Sequence, residues 1–74
     1  MSTVELRAEI TGMVVDVVGG QGVAVDEGDP VLVMEAMKME IPVAAPCAGR
    51  IVEILVAKGD VVAQDHVLAI LAPA

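Results

Sequence analysis

The sequence predicts an all-β fold, a small barrel or sandwich, on three observations. Its apolar residues are aliphatic, turn-forming clusters recur at short intervals, and the chain repeats itself at one fixed offset. Hydrophobic residues make up 57% of the 74 residues while Phe, Tyr and Trp are absent, so a core must be packed from Val, Ile, Leu, Met and Ala. The β-branched members of that set favour strands.

The breakers cut the sequence into apolar runs of about strand length: Met13 to Val18, Val31 to Met34, Ile51 to Val56 and Val67 to Leu71. Between them stand Gly19-Gly20-Gln21-Gly22, Asp26-Glu27-Gly28-Asp29-Pro30, Pro46-Cys47-Ala48-Gly49 and Lys58-Gly59-Asp60, built from residues that tolerate turn backbones. Turns this closely spaced fit a barrel or sandwich. The glycine-rich stretch at 19–22 lacks the Lys-Ser/Thr continuation of a phosphate loop and precedes no helix, so it reads as a turn.

Sliding the chain on itself reveals the repeat. Gly12 and Gly49, and likewise Gly22 and Gly59, lie 37 residues apart (49 − 12 and 59 − 22). The same offset matches Ala8 with Ala45, Val15 with Val52 and Val25 with Val62, and it pairs like with like at Val14/Ile51, Asp16/Glu53, Val17/Ile54, Val18/Leu55, Val33/Ile70 and Met34/Leu71. Two similar halves imply a pseudo-twofold fold. In each half a Gly opens the strand, a place for a bulge or tight bend, and Asp16 and Glu53 are expected to face solvent.

The segment joining the halves is ambiguous by propensity. Met34 to Glu40 consists of good helix formers, but Pro30 and Pro42 leave room for only eleven residues between them, and the apolar positions show no 3.6-residue period. Two strands meeting in a hairpin around Met37-Lys38 are expected instead, although the usual Asn-Gly or Asp-Gly turn signal is missing.

Composition bounds the function. One domain spanning residues 1–74 is near the lower size limit, where a chain buries only about 60% of its unfolded surface. Little surface is left for a catalytic cleft, which argues for a module that is not itself an enzyme. The net charge is −7 with four basic residues and no basic cluster, so nucleic-acid and anionic-membrane partners are not expected. Cys47 and His66 are each alone of their kind, which excludes an internal disulfide and a Cys/His metal cluster; Cys47 is expected to pack as a small hydrophobe and His66 to sit at the surface. The N-terminus has no signal-peptide pattern and no apolar stretch reaches membrane-spanning length, so a cytoplasmic setting is expected. Met1 and the short ending Ala72-Pro73-Ala74 are those expected of a free-standing chain.

Lys38 stands between two methionines at the expected hairpin tip, one of only four basic residues. A lysine ammonium at neutral pH has no free electron pair, so its acylation needs a partner that removes the proton. Glu35-Ala36-Met37-Lys38-Met39, placed midway between two repeats, resembles the attachment motif of the biotinyl domain family, the carrier segments of biotin-dependent carboxylases. Related lipoyl domains typically place Asp before the lysine and a small residue after it. The resemblance runs from about Val4 to Leu71, and Gly28-Asp29, Ala45-Pro46, Gly49 and Gly59-Asp60 also fit the family pattern. Val23, Asp65 and Glu9 depart from it: an Asp, a Gly and a Pro are usual there.

The resemblance implies a flattened barrel-sandwich of two four-stranded sheets, without the protruding thumb of some bacterial carriers. It also implies biotin in amide linkage on Lys38, attached by a biotin protein ligase and visiting biotin carboxylase and carboxyltransferase subunits or domains to carry carboxyl groups between them. A lipoyl-type carrier of an acyl-transfer complex is the alternative. Glu35, Ala36, Met37 and Met39 complete the motif, with the thioethers expected to give adaptable contacts to those partners.

Overall fold

The computed structural model describes residues 2–74, and every regular element among them is a strand. In chain order these are β1 (Val4–Arg7), β2 (Gly12–Val17), β3 (Ala24–Val25), β4 (Pro30–Ala36), β5 (Met39–Ala44), β6 (Gly49–Ile54), β7 (Val61–Val62) and β8 (Val67–Pro73). They form two four-stranded antiparallel sheets, ordered β1-β8-β6-β3 and β5-β4-β2-β7. Of these, β1, β3, β5 and β7 lie outside the four apolar runs read from the sequence, and only β5 was expected, as the second arm of the hairpin. Two-residue strands such as β3 and β7 carry no periodicity to read.

The 37-residue repeat governs pairing as well as composition. Val14 pairs with Met34 and Ile51 with Leu71; Gly12 pairs with Val62 and Gly49 with Val25. Leu6 opposite Ala69 corresponds in the same way to Val43 opposite Leu32. The loops obey the same rule: the Gly22 amide donates to the Ile51 carbonyl and the Gly59 amide to the Val14 carbonyl, each at 2.7 Å. One sheet is thus the image of the other.

The bulge lies within the strand, not at its opening glycine. Register slips between Val14 and Asp16 opposite β4, and again between Ile51 and Glu53 opposite β8. Strict alternation from buried Val14 would point Asp16 inward. The extra residue, Val15 in one half and Val52 in the other, resets the alternation and leaves both acids exposed.

The opening glycines answer to a different constraint, close approach. A Cβ on Gly12 would lie 2.5 Å from the Glu35 carbonyl oxygen, and one on Gly49 would overlap that of Ala72. Only glycine lets β2 and β6 come this near their neighbours.

The core divides into two clusters that the repeat exchanges. One gathers Leu6, Val25, Val31, Ala45, Ile51, Ala69 and Leu71, with Cys47 packed against it, and the other Ala8, Leu32, Met34, Val62 and Leu68. No buried side chain among the described residues is polar or charged; His66 is exposed. The body measures 36 × 17 × 17 Å.

Candidate functional site

The segment of helix formers is a hairpin. Met34 and Ala36 are buried while Glu35 between them is exposed, so its burial has the two-residue period of a strand, and packing overrides propensity. Six pairings bind β4 to β5, ending with Ala36 opposite Met39. That closure leaves Met37 and Lys38 as a two-residue turn.

Both turn residues have positive φ, 53° at Met37 and 64° at Lys38, as in a type I′ turn. This turn matches the twist of the flanking strands but normally uses Asn-Gly because the left-handed conformation crowds a Cβ. Holding two ordinary side chains there costs on the order of 1 kcal/mol each. The buried Met34 and Ala36 anchor one arm of the hairpin, and Gly12 lets β2 close against Glu35 and Ala36. Strong pairing below the turn therefore maintains the strained tip.

The turn sets every side chain of the motif on a convex surface except Ala36. Met37 is 85% exposed and Met39 64%, and Lys38, Glu35 and Glu40 are exposed too. The main surface grooves are lined by residues other than Met37, Lys38 and Met39. Among the described residues the one ion pair joins Arg7 to Glu5, which leaves the Lys38 ammonium unpaired. An exposed amine at a turn is accessible to modification by another protein.

Two neighbours of the tip were not legible as site residues. Glu40 lies directly opposite Glu35, a like-charge pair that disfavours the hairpin and is visible only once the register is known. Gly12 sits beneath Glu35 and Ala36; its match to Gly49 in the repeat was the available signal, but it carried no indication that the tip lay above.

The Biotin_lipoyl family model, described as biotin-requiring enzyme, matches residues 5–71. The chain belongs to this family. It is 39% identical over 67 residues to the biotinylated protein TB7.3 homolog of Mycobacterium leprae, covering 90% of this chain and 94% of that one. It is 48% identical over 61 residues to the mitochondrial methylcrotonoyl-CoA carboxylase subunit alpha of Oryza sativa subsp. japonica, covering 82% of this chain but 8% of that one. A solved single-chain, multi-domain long-chain acyl-CoA carboxylase superposes with a TM-score of 0.92 at 38% identity, over 97% of this chain and 7% of that one. The chain thus spans nearly all of the mycobacterial relative and a small part of each carboxylase.

The departures from the biotinyl pattern acquire a structural meaning in the repeat. Asp60 caps its turn by accepting the Ala57 amide at 2.9 Å, and Asp29 accepts the Asp26 amide at the same distance. Their counterparts 37 residues away are Val23 and His66. Asp65 occupies the place of Gly28 with φ of 72°, a conformation that Asp tolerates better than most residues. Each half of this biotinyl-type fold therefore retains one capped Gly-Asp turn and has lost the other.

Proposed function

We propose that this chain is a biotin carboxyl carrier domain, biotinylated on Lys38, that carries carboxyl groups between the biotin carboxylase and carboxyltransferase sites of a biotin-dependent carboxylase. The observation that carries the reading is the placement of Lys38: an exposed, unpaired amine in the two-residue turn that closes the β4–β5 hairpin. Biotin supplies the ring nitrogen that takes up and yields the carboxyl group.

The chain's own part is positional. Acylation removes the charge on Lys38 and moves the formal net charge from −7 to −8. The turn fixes the root of the arm, and the flexible lysine and acyl chain sweep the ring around it. Tethering of this kind holds a group at millimolar effective concentration near sites within reach. The exposed thioethers of Met37 and Met39 give a ligase and successive carboxylase sites a surface that adapts to each. The bond-making groups belong to those partners.

The test is intact-mass measurement after co-expression with a biotin protein ligase. A mass gain of one biotin is expected, lost in Lys38→Arg because a guanidinium is not acylated under these conditions. An unchanged wild-type mass, or labelling at Lys58, overturns the assignment, and a lipoyl adduct in place of biotin would favour an acyl-transfer complex.

A further inference from the structure

From Glu35 to Glu40 the thioethers are the only groups whose polarity a redox reaction can change. Among the described residues the exposure of the methionines is steeply graded: Met37 is 85% exposed and Met39 64%, while Met13 in β2 is 37% and Met34 in the core 1%. The two open ones flank Lys38 directly, one inside the turn and the other in its closing pair with Ala36. Neither belongs to a core cluster. The fold thus sets its most accessible sulfurs on either side of the amine and keeps its structural one out of reach.

Resting on the carrier reading above, we propose that Met37 and Met39 are a reversible oxidation site that controls acylation of Lys38. The oxidant is an uncharged hydroperoxide. A lone pair on the thioether sulfur attacks the terminal peroxide oxygen, and the S–O bond forms as the O–O bond breaks. The proton of the transferred oxygen passes to the departing one, which leaves as water or an alcohol, and the sulfur is oxidised by two electrons to a sulfoxide. Glu35 and Glu40, exposed and paired below the turn, repel an anionic oxidant but not a neutral one. A methionine sulfoxide reductase reverses the change, with two thiols oxidised to a disulfide and the oxygen released as water. Thioethers are apolar and adapt to a partner, whereas a sulfoxide is a strong dipole that loses water on docking and meets no matching donor in a site shaped for thioethers. The cost falls on docking of the chain to the ligase, so KM for the chain rises more than kcat falls. A fall of about tenfold in kcat/KM, equivalent to roughly 1.4 kcal/mol, is within what one buried, unpaired polar group costs.

The experiment uses the chain before biotin is attached, because biotin carries a thioether of its own. Peroxide treatment followed by peptide mass mapping should oxidise Met37 first, then Met39, then Met13, with Met34 last. Chain carrying both tip sulfoxides should keep the Tm of untreated chain and take up biotin about ten times more slowly at limiting concentration. A methionine sulfoxide reductase with thiol should restore the rate, and thiol alone, which acts on oxidised Cys47, should not. Met37→Leu combined with Met39→Leu is close to the wild type in volume and keeps Cys47 and the other methionines; its labelling rate should be the same before and after peroxide. Labelling of the doubly oxidised wild type at the untreated rate overturns the proposal, as does rescue by thiol alone or an equal loss in the leucine variant. If that variant takes no biotin at all, the reductase arm decides by itself. An untreated wild type that gains no biotin overturns the carrier reading, and this proposal with it.

Discussion

Gly12 and Gly49 occupy equivalent places in the repeat, so adding one methyl to each separates what the scaffold needs from what the site needs. In Gly49→Ala the new Cβ would overlap the Ala72 carbonyl oxygen, with the Ala72 carbonyl carbon and Pro73 Cα both 3.0 Å away. These are backbone atoms, so β8 must shift away from β6 because no rotamer relieves the clash. Overpacking of this kind costs about 1–3 kcal/mol. A chain of 74 residues has on the order of 4–11 kcal/mol of total stability, and at roughly 4–8 °C per kcal/mol a 2 kcal/mol loss lowers Tm by about 8–16 °C. Gly20→Ala is the control: its Cβ would meet nothing within 4 Å, and the change should be neutral or stabilising by up to about 1 kcal/mol. Gly12→Ala should cost about as much as Gly49→Ala but also push Glu35 and Ala36 away from β2, so the rate of biotinylation falls only in the former. Thermal unfolding by circular dichroism and a ligase time course read the two effects. If Gly49→Ala melts within 2 °C of Gly20→Ala (a difference of roughly 0.5 kcal/mol or less), the close-approach argument is wrong.

Val23→Asp should restore the missing cap by accepting the Gly20 amide as Asp60 accepts that of Ala57; a gain of about 0.5–1 kcal/mol is expected in urea unfolding, and a loss would show that the two turns are not equivalent. Met37→Asn should relieve part of the strain at a φ of 53° and raise stability by about 0.5–1 kcal/mol, while ligase turnover drops because the exposed thioether is gone. Glu40→Lys should remove the repulsion with Glu35 and stabilise the hairpin by a few tenths of a kcal/mol, an effect that should shrink in high salt; a salt-independent change would mean that packing, not charge, is responsible. Lys38→Ala should leave Tm within a few degrees of wild type, since the exposed side chain has no ion-pair partner among the described residues.

Much of the fold was legible because the repeat is written in glycines and acids as well as in aliphatics. Gly12 and Gly49 sit where a neighbouring backbone leaves no room for a side chain, Asp16 and Glu53 mark the same exposed position after each bulge, and together they fixed the offset that the pairings obey. The correspondence of β1 with β5 was hidden: Glu5 falls on Pro42 and Arg7 on Ala44, residues with nothing in common. Both strands lie at sheet edges, where one side has no strand to pair with and a proline is tolerated. The bulges at Val15 and Val52 were not located because aliphatic pairs flank each acid, Val14-Val15 and Val17-Val18 in one half and Ile51-Val52 and Ile54-Leu55 in the other, and either member of a pair can face the core until the register is known. At the hairpin, the sequence placed Met37 and Lys38 at the turn, but the identity of the turn and the like-charge pair each depended on register.

The hairpin tip violates three local rules at once: helix formers in strands, no glycine or asparagine in a type I′ turn, and glutamates facing each other across the strands. Violations cluster where function overrides local preference, and two of these have separate origins. On the carrier reading an amine has to stand in the turn, which excludes glycine and asparagine from the place of Lys38. The same reading presents the tip to more than one partner, which favours flexible methionines over the residues the backbone prefers. The strain is bearable because everything below the turn is determined twice, once by each repeat: Met34 is buried opposite Val14 just as Leu71 is buried opposite Ile51. That support from below lets the turn hold a lysine in a conformation that lysine by itself disfavours.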